Sequence, residues 1–324
     1  MSIFLVTGGA GFIGSSFVNQ QIQKNHQIIV LDKLTYAGKK ENLSWIKSNN
    51  YQLIRGDIND FNLVSKIFSD YKIDKLIHFA AESHVDNSIK DPDAFINTNI
   101  NGTHNLLKIS LQEFNKNNNF HFHHISTDEV FGDLELNGAE KFSENTPYNP
   151  SSPYSASKAA SDHLVRAYNK TYNLPITISN CSNNYGPRQH NEKLIPTIIK
   201  KAINNESIPI YGDGKNVRDW IHVDDHNRAV DLIIEKGKIG QTYLIGGNCE
   251  LDNNQVVKII CTILDKVKPK ADNSSYQTQI KYVTDRKGHD RRYAINDSKI
   301  VKELNYQPKF TFEQGILELI KEYI

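Results

Sequence analysis

Cysteine is scarce in this chain: Cys181, Cys249 and Cys261 are odd in number, far apart, and lack the close spacing of metal ligands or of a disulfide framework. They are expected to be reduced thiols of a cytoplasmic protein, and no metal site is expected. Net charge is nearly absent too, since 38 basic side chains offset all but one of their charges against 37 acidic ones. With no basic run, a nucleic-acid or membrane-surface partner is excluded on electrostatic grounds. No apolar stretch approaches the roughly 20 residues of a membrane span. The first residues follow a strand pattern rather than a basic segment and a long apolar run, so no signal peptide is expected.

What is present begins with length. A chain of 324 residues is long for one core, so a large α/β domain with a smaller lobe is expected. Ser2 to Thr7 reads as a buried strand and runs into Gly8-Gly9-Ala10-Gly11-Phe12-Ile13-Gly14, then an amphipathic helix to about Lys24. Glycines between a first strand and a first helix let the backbone turn tightly and approach a pyrophosphate, whose charge the helix start favours. The plainer alternative is a strand–helix turn with packing glycines.

The next strand, Gln27 to Asp32, ends in an acid about 20 residues beyond the glycines, where a ribose-binding carboxylate belongs. It points to NAD, because a carboxylate repels the 2′-phosphate of NADP; the neighbouring Lys33 leaves NADP open. Gln52 to Asp57 and Lys75 to Ala81 continue as strands three and four, each after a helix-compatible segment. This alternation indicates a Rossmann-type doubly wound parallel sheet. Asp57 either meets the adenine or caps the following helix. Ala80, Ala81 and Ser83, at a strand end, leave room for the dinucleotide. His84 reads as a local hydrogen-bonding residue outside the site, and Pro92 to Phe114 as one long helix containing Thr98 and Asn99.

The most informative stretch is Ile125 to Lys158. Ser126-Thr127-Asp128-Glu129 follows the run Phe120 to Ile125 and sits where a buried strand should end. Tyr154-Ser-Ala-Ser-Lys158 places a phenol and an ammonium on one helical face. An adjacent cation lowers a phenol's pKa, so Tyr154 is expected to act as a base far below its usual value of about 10. Asp128 and Glu129 would have to differ in protonation, as two acids in one poorly solvated site can. They also reach one substrate only if the strand has ended at Thr127, because neighbours on a strand point to opposite faces.

Ile176 to Asn180 reads as a strand and Cys181 to Pro187 as a turn-rich loop. A helix follows at about 192–204, then a strand Ile208 to Tyr211, a segment Val217 to Val223, a helix Asp224 to Glu235, and a strand Thr242 to Ile245 that returns to the main sheet. Helices near 253–266, 297–304 and 311–323 are expected to build a smaller, mixed α/β C-terminal substrate lobe. The domains so drawn are 1–180 with 219–247, and 181–218 with 248–324. Arg218 and the cluster Asp285 to Tyr293 supply planar donors suited to a diphosphate. Any one arginine taken alone reads as a structural ion pair.

Together, Thr7 to Gly14, Asp32 to Gly38, Phe79 to Asp86, Ser126 to Gly132, Tyr154 to Lys158, Asn180 to Pro187, Glu192 to Pro196, Arg218-Asp-Trp220 and Gly288 to Tyr293 resemble the extended short-chain dehydrogenases/reductases. Within them, the chain is similar along nearly its whole length to the nucleotide-sugar 4,6-dehydratases that act on dTDP-glucose. The glycines and the Tyr154/Lys158 pair are common to the superfamily; Thr127-Asp128-Glu129 is the specific part.

The resemblance implies a lyase that uses NAD. Tyr154, with Lys158, would take the proton of the sugar's 4-hydroxyl while Thr127 holds that oxygen; Glu129 would take the C5 proton, and Asp128 would protonate the departing 6-hydroxyl. It extends the cofactor set to Phe12, Ile13, Leu34, Thr35, Ile58, Thr98 and Asn184. It assigns nucleotide-sugar contacts to Ser83, Asn183, Lys193, Leu194, Pro209, Tyr211, Arg218, Asn253, His289, Arg292 and Tyr293. It also implies a homodimer formed by the 92–114 and 154–172 helices. Phe131, Arg188 to Asn191, Cys249 and Lys287 depart from the family pattern, away from the catalytic groups. The alternatives are a 4,6-dehydratase of another nucleotide sugar, a 4-epimerase, for which Asp128 and Glu129 would have no use, and a non-catalytic NAD-binding scaffold.

Overall fold

The computed structural model describes residues 1–285 and 288–324; Arg286 and Lys287, of the arginine-rich cluster, lie outside the described residues. The chain runs through β1 (Ile3–Thr7), α1 (Phe12–Gln23), β2 (Gln27–Asp32), β3 (Tyr51–Arg55), α2 (Phe61–Asp70), β4 (Lys75–His78), α3 (Val85–Lys90), α4 (Asp93–Phe95), α5 (Thr103–Phe114), β5 (His121–Thr127) and α6 (Pro153–Tyr172). Then come β6 (Ile176–Cys181), β7 (Asn183–Tyr185), α7 (Leu194–Ile203), β8 (Ile208–Tyr211), β9 (Val217–His222) and α8 (Val223–Lys236). The chain closes with β10 (Thr242–Ile245), β11 (Glu250–Asp252), α9 (Asn253–Val267), β12 (Ile280–Val283), α10 (Ser298–Leu304) and α11 (Phe312–Lys321).

Seven strands form one sheet in the order β10-β6-β5-β4-β1-β2-β3, with every neighbouring pair parallel. Side chains alternate across it, as the two-residue period of a strand requires. Phe4, Val6, Ile28 and Val30 face α1, α8 and α10 in one core; Leu5, Ile29 and Leu31 face α2, α5 and α6 in another. Strands covered on both faces read as continuous apolar runs, which is why they are legible in the sequence. The expected doubly wound sheet is therefore present, and β10 returns to it beside β6.

A third core joins α7, α9 and α11 with Tyr185 and Trp220 in a smaller lobe. This lobe carries the sheet β11-β9-β7 and the parallel pair β12-β8. Three expectations change here. The 181–187 loop contains β7, which is a strand only because β9, more than thirty residues on, pairs with it. Residues 219–222, drawn with the large domain, lie in β9 and so in the small sheet. Ile300 and Leu304 of α10 pack into the large core beside α8, so this helix covers the main sheet rather than building the small lobe.

The long helix expected over 92–114 is interrupted. A π-helical stretch, Ile96–Gly102, separates α4 from α5. Within it Asn99 is buried, accepting from the Glu82 N–H at 2.9 Å and donating to the Glu82 carbonyl at 3.0 Å and the Ser157 hydroxyl at 2.8 Å. π-bulges of this kind concentrate at functional sites, and this one anchors the chain leaving β4.

Candidate active site

At the carboxyl ends of the parallel strands, where β1 and β4 part and the strand order reverses, lies a cleft of about 330 Å³. The turn from β1 to α1 builds one end. Gly8 has φ +70°, and a Cβ there would come within 2.6 Å of the Ala80 nitrogen; at Gly14 it would meet the Gly8 carbonyl at 2.4 Å. Only a hydrogen fits at either place. Gly11 caps α1 without a side-chain bond, and no acidic residue occupies the first turn, so the Phe12–Gly14 backbone offers the cleft an anion site.

Asp32 is buried in the wall at the end of β2. Its Oδ1 accepts from the Leu34 N–H at 2.8 Å and its Oδ2 from the Ala10 N–H at 3.0 Å. Burial raises this carboxyl's pKa, and the two N–H groups oppose the rise. Each oxygen keeps a further acceptor site for a ribose hydroxyl. Leu34 acts through its backbone, at φ +57°, and its side chain is not part of the wall. Lys33 forms an ion pair with Asp57 at 2.8 Å, which engages the cation that left NADP open. Asp57 does not cap α2: Asp60 does, accepting from the Leu63 N–H, while Asp57 accepts from Asn59 and lines the cleft. With Thr35, Ile58, Ala80, Ala81 and Thr98 also on the wall, these residues fit a dinucleotide.

The other end carries the chemistry. β5 stops at Thr127 and a 3₁₀ turn over Asp128–Phe131 begins at once, with the Glu129 N–H donating to the Thr127 hydroxyl at 3.3 Å. This change of direction sets Thr127, Asp128 and Glu129 on one wall. Facing them, α6 opens with Pro153 and a capping box in which Ser152 and Ser155 each receive the other's backbone N–H. That start places Tyr154 and Lys158 one turn apart on the cleft side.

The two acids stand in different environments. Burial, then the charge of Glu129, holds the Asp128 carboxyl well above the usual carboxylate range, which favours its protonated form. Its Oδ1 accepts from the Thr127 hydroxyl at 3.3 Å, and its Oδ2 has no partner among the described residues. Glu129 is half-buried and supplies the negative charge that its neighbours feel. Tyr154 corrects the sequence expectation. Burial, then Glu129 and Cys181, pushes its phenol well above its usual pKa, with only the Thr127 hydrogen bond opposing. The Lys158 ammonium is turned to the Ile125 carbonyl, at 2.8 Å, and its own pKa is lowered by burial.

A family model described as GDP-mannose 4,6 dehydratase matches residues 5–319. The dTDP-glucose 4,6-dehydratase of Salmonella typhimurium is 51% identical, covering 99% of this chain and 92% of its own. That of Xanthomonas campestris is 49% identical over 100% of this chain and 93% of its own. The chain belongs to the dTDP-glucose 4,6-dehydratase family. A solved dTDP-glucose 4,6-dehydratase from Bacillus anthracis, in complex with NAD, superposes with a TM-score of 0.88 at 44% identity, covering 100% of this chain and 96% of that one.

Among the residues that the dTDP-glucose 4,6-dehydratase family suggests for a nucleotide sugar, Ser83, Asn183 and Lys193 reach the cleft wall, as does Asn184 on the cofactor side. Leu194, Pro209, Tyr211, Arg218, Asn253, His289, Arg292 and Tyr293 lie outside it. Leu194 opens α7, Pro209 and the exposed Tyr211 lie on β8, and Asn253 opens α9. His289 is bonded to Asp285 at 2.7 Å. Arg292 matches the ion-pair reading: it holds Glu250 at 2.8 and 3.1 Å and the Glu140 carbonyl at 2.9 Å. Arg218 donates to the carbonyls of Val217 and Asp290 and stacks 4.1 Å from the Tyr293 ring centre. Its charge opposes the rise in the Asp128 pKa.

Several wall residues escaped the sequence reading. His84 caps α3 by accepting from the Asn87 N–H and pairs with Glu192 at 3.0 Å, so it belongs to the wall after all. Glu192 also holds His190 at 2.7 Å. Tyr36, Glu82 and Cys181 line the cleft as well. Cys181 could have been found by counting along the parallel pair β5/β6, where it is the register partner of Thr127.

Proposed function

We propose that the protein is a hydro-lyase that converts dTDP-glucose to dTDP-4-keto-6-deoxyglucose with NAD as its cofactor. The observation that carries this reading is the placement of buried Asp128 beside half-buried Glu129, on the same cleft wall as Thr127 and opposite Tyr154, with the Asp128 carboxyl held well above the usual carboxylate range. An epimerase needs only the tyrosine–lysine pair; an adjacent acid and base suit the loss of water across C5 and C6.

The glycine turn, the α1 start and Asp32 would hold NAD, which when bound takes a hydride from C4 and gives one back at C6. The chain's own groups handle the protons. The Tyr154 phenol, which burial by itself holds protonated, acts as a base once it is ionised with the help of the Lys158 ammonium and the positive charge of bound NAD; its phenolate accepts the 4-hydroxyl proton while the Thr127 hydroxyl orients that oxygen. The resulting 4-ketone acidifies the C5–H, and Glu129 removes that proton. Asp128 gives its proton to the 6-hydroxyl, which leaves as water, and C5 is finally reprotonated from Glu129 after the half-buried carboxyl has exchanged its proton with solvent. Net change is one water lost, with Tyr154 and Asp128 reset through solvent. Lys193 and Arg218 are assigned to the diphosphate end.

The lobe formed by β7, β8, β9, β11, β12, α7, α9 and α11 is read as the nucleotide-sugar half. Unpaired cysteines suit a cytoplasmic protein, and exposed Ile89, Ile96 and Tyr172 on α3, the π stretch and α6 suit a homodimer. Incubation with dTDP-glucose and NAD in deuterated water, read by mass spectrometry, should give a product lighter by one water with deuterium at C5. Glu129→Gln should abolish water loss and leave initial sugar oxidation detectable. A galactose-configured product of unchanged mass would overturn the reading in favour of a 4-epimerase.

A further inference from the structure

Behind Lys158, away from the cleft, lies a buried polar network that the reaction as described does not use. Asp162 follows Lys158 by four residues on α6, so the face that carries Tyr154 and Lys158 continues into a carboxylate. Asp162 and His124 are fully buried, and Lys158 is nearly so. His124 Nε2 lies 3.4 Å from the Lys158 ammonium and 3.2 Å from Asp162 Oδ1, between the two charges.

The other oxygen of Asp162 gathers donors from three directions: the Ser126 hydroxyl at 2.8 Å, the Tyr148 hydroxyl at 2.7 Å and the Asn180 amide at 3.3 Å. Ser126 directly precedes Thr127 on β5, and the same Asn180 amide donates to the Thr127 carbonyl at 3.0 Å. A buried carboxylate is costly unless it is fully hydrogen-bonded or serves a charge. Here it reaches the cation beside the reacting tyrosine through His124, and through Ser126 it is bonded to the strand end that carries the threonine.

We infer that Asp162 is a positioning residue: its carboxylate, with His124 between, keeps the buried Lys158 ammonium charged and holds the end of β5 against α6. The inference rests on the roles given above to Tyr154 and Lys158. Asp162 is held down at about pKa 2 although it is fully buried, because hydrogen bonding from His124 and the charges of Lys158 and Arg166 outweigh desolvation; burial lowers His124 itself to about 4, so near neutral pH it stands between the two charges as a neutral imidazole. In return its charge is the first influence opposing the burial that lowers Lys158. The other titratable or charged groups around the pair are His78 on β4, Cys181 on β6, and Tyr148, Tyr154 and Arg166.

Two measurements test this. The first is thermal unfolding of cofactor-free Asp162→Asn, Lys158→Met and the double variant. If the carboxylate serves the ammonium, the double variant melts close to Lys158→Met alone, because the buried cation left bare by Asp162→Asn is gone. Additive losses overturn the inference. Should Asp162→Asn fail to fold, the double variant folds; its failure too would make Asp162 a packing residue only. The second is the pH profile of dTDP-glucose turnover. In Asp162→Asn the basic limb moves to lower pH by about one unit, since Lys158 loses its proton earlier, and Asp162→Glu moves it back. A profile superimposable on the parent's overturns the inference. Failure of the parent to dehydrate the sugar would sink the proposed function, yet leave the unfolding comparison standing.

Discussion

At the scale of single residues, two neighbouring acids stand in different surroundings. Asp128 is buried, which favours its protonated form, while Glu129 is half exposed and acts on it as a charge. This has a stability cost whose sign is definite. Between the ordinary carboxyl pKa of about 3.9 and the raised folded value, the native state binds a proton that the unfolded chain has released, so stability falls as pH rises through that window. Asparagine copies the shape of the protonated acid and has no such proton to lose. Asp128→Asn should therefore melt higher than the parent, by a margin that widens with pH, while turnover falls by about a hundredfold or more for want of the general acid. Equal pH dependence of the two melting curves would show that Asp128 is ionised. The family resemblance named Asp128 as the acid and Glu129 as the base, but the residues themselves gave no reason for that order, because burial depends on the turn after Thr127. The partners of Lys33 and Arg292 were hidden for the same kind of reason: Asp57 and Glu250 lie 24 and 42 residues away, and only the fold brings them near.

At the scale of elements, the seven main strands and most helices could be read directly, because apolar runs and helical periodicity are local signals. What could not be read are elements defined by distant partners or by one intruding side chain. β7 exists through β9, and the π stretch Ile96–Gly102 exists where Asn99 reaches across to Glu82 and Ser157. In the sequence Asn99 is one polar residue in a helical pattern. In the fold it ties the helix to the cleft wall beside Ala80 and Ala81. Asn99→Ala removes an acceptor from the Glu82 N–H and a donor from Ser157, at a cost of about 1–3 kcal/mol. A melting-temperature drop of about 2–6 °C is expected by scanning fluorimetry, with weaker NAD binding by titration calorimetry. Unchanged affinity would show that the wall holds its shape without this tie.

At the scale of the whole molecule, the question is how a large parallel sheet and a small lobe with its own core behave as one body. The sequence suggested two lobes, but it interleaved them imperfectly, cutting β9 after Arg218 so that 219–222 fell to the large domain, and placing α10 with the small one. Part of the answer lies in Asp225 on α8, whose neighbours Ala229, Val230 and Ile233 belong to the large core. Its buried carboxylate pairs with Arg228 at 2.6 Å and accepts from the N–H groups of Lys309 at 2.9 Å and Phe310 at 3.0 Å. Those two residues lead into α11, which carries Phe312, Ile316 and Leu319 into the small core. One side chain thus fastens the segment joining the two cores, and Arg228 reinforces it by donating to the Gln307 carbonyl at 2.9 Å. Removing this buried carboxylate leaves two N–H groups and a partly exposed arginine without their acceptor, and at about 1–3 kcal/mol for each N–H a cost of about 3–5 kcal/mol is expected. In a chain of this length that amounts to a melting-temperature loss of about 6–10 °C. Asp225→Ala should show this loss by calorimetry and, with the join cut, should split the single parent transition into two. NAD should raise the transition of the large lobe alone, because the residues proposed to hold it lie mostly on the first four strands and their loops. A single transition that shifts as a unit would place the cooperativity elsewhere, in the β7–β9 contacts beneath the cleft.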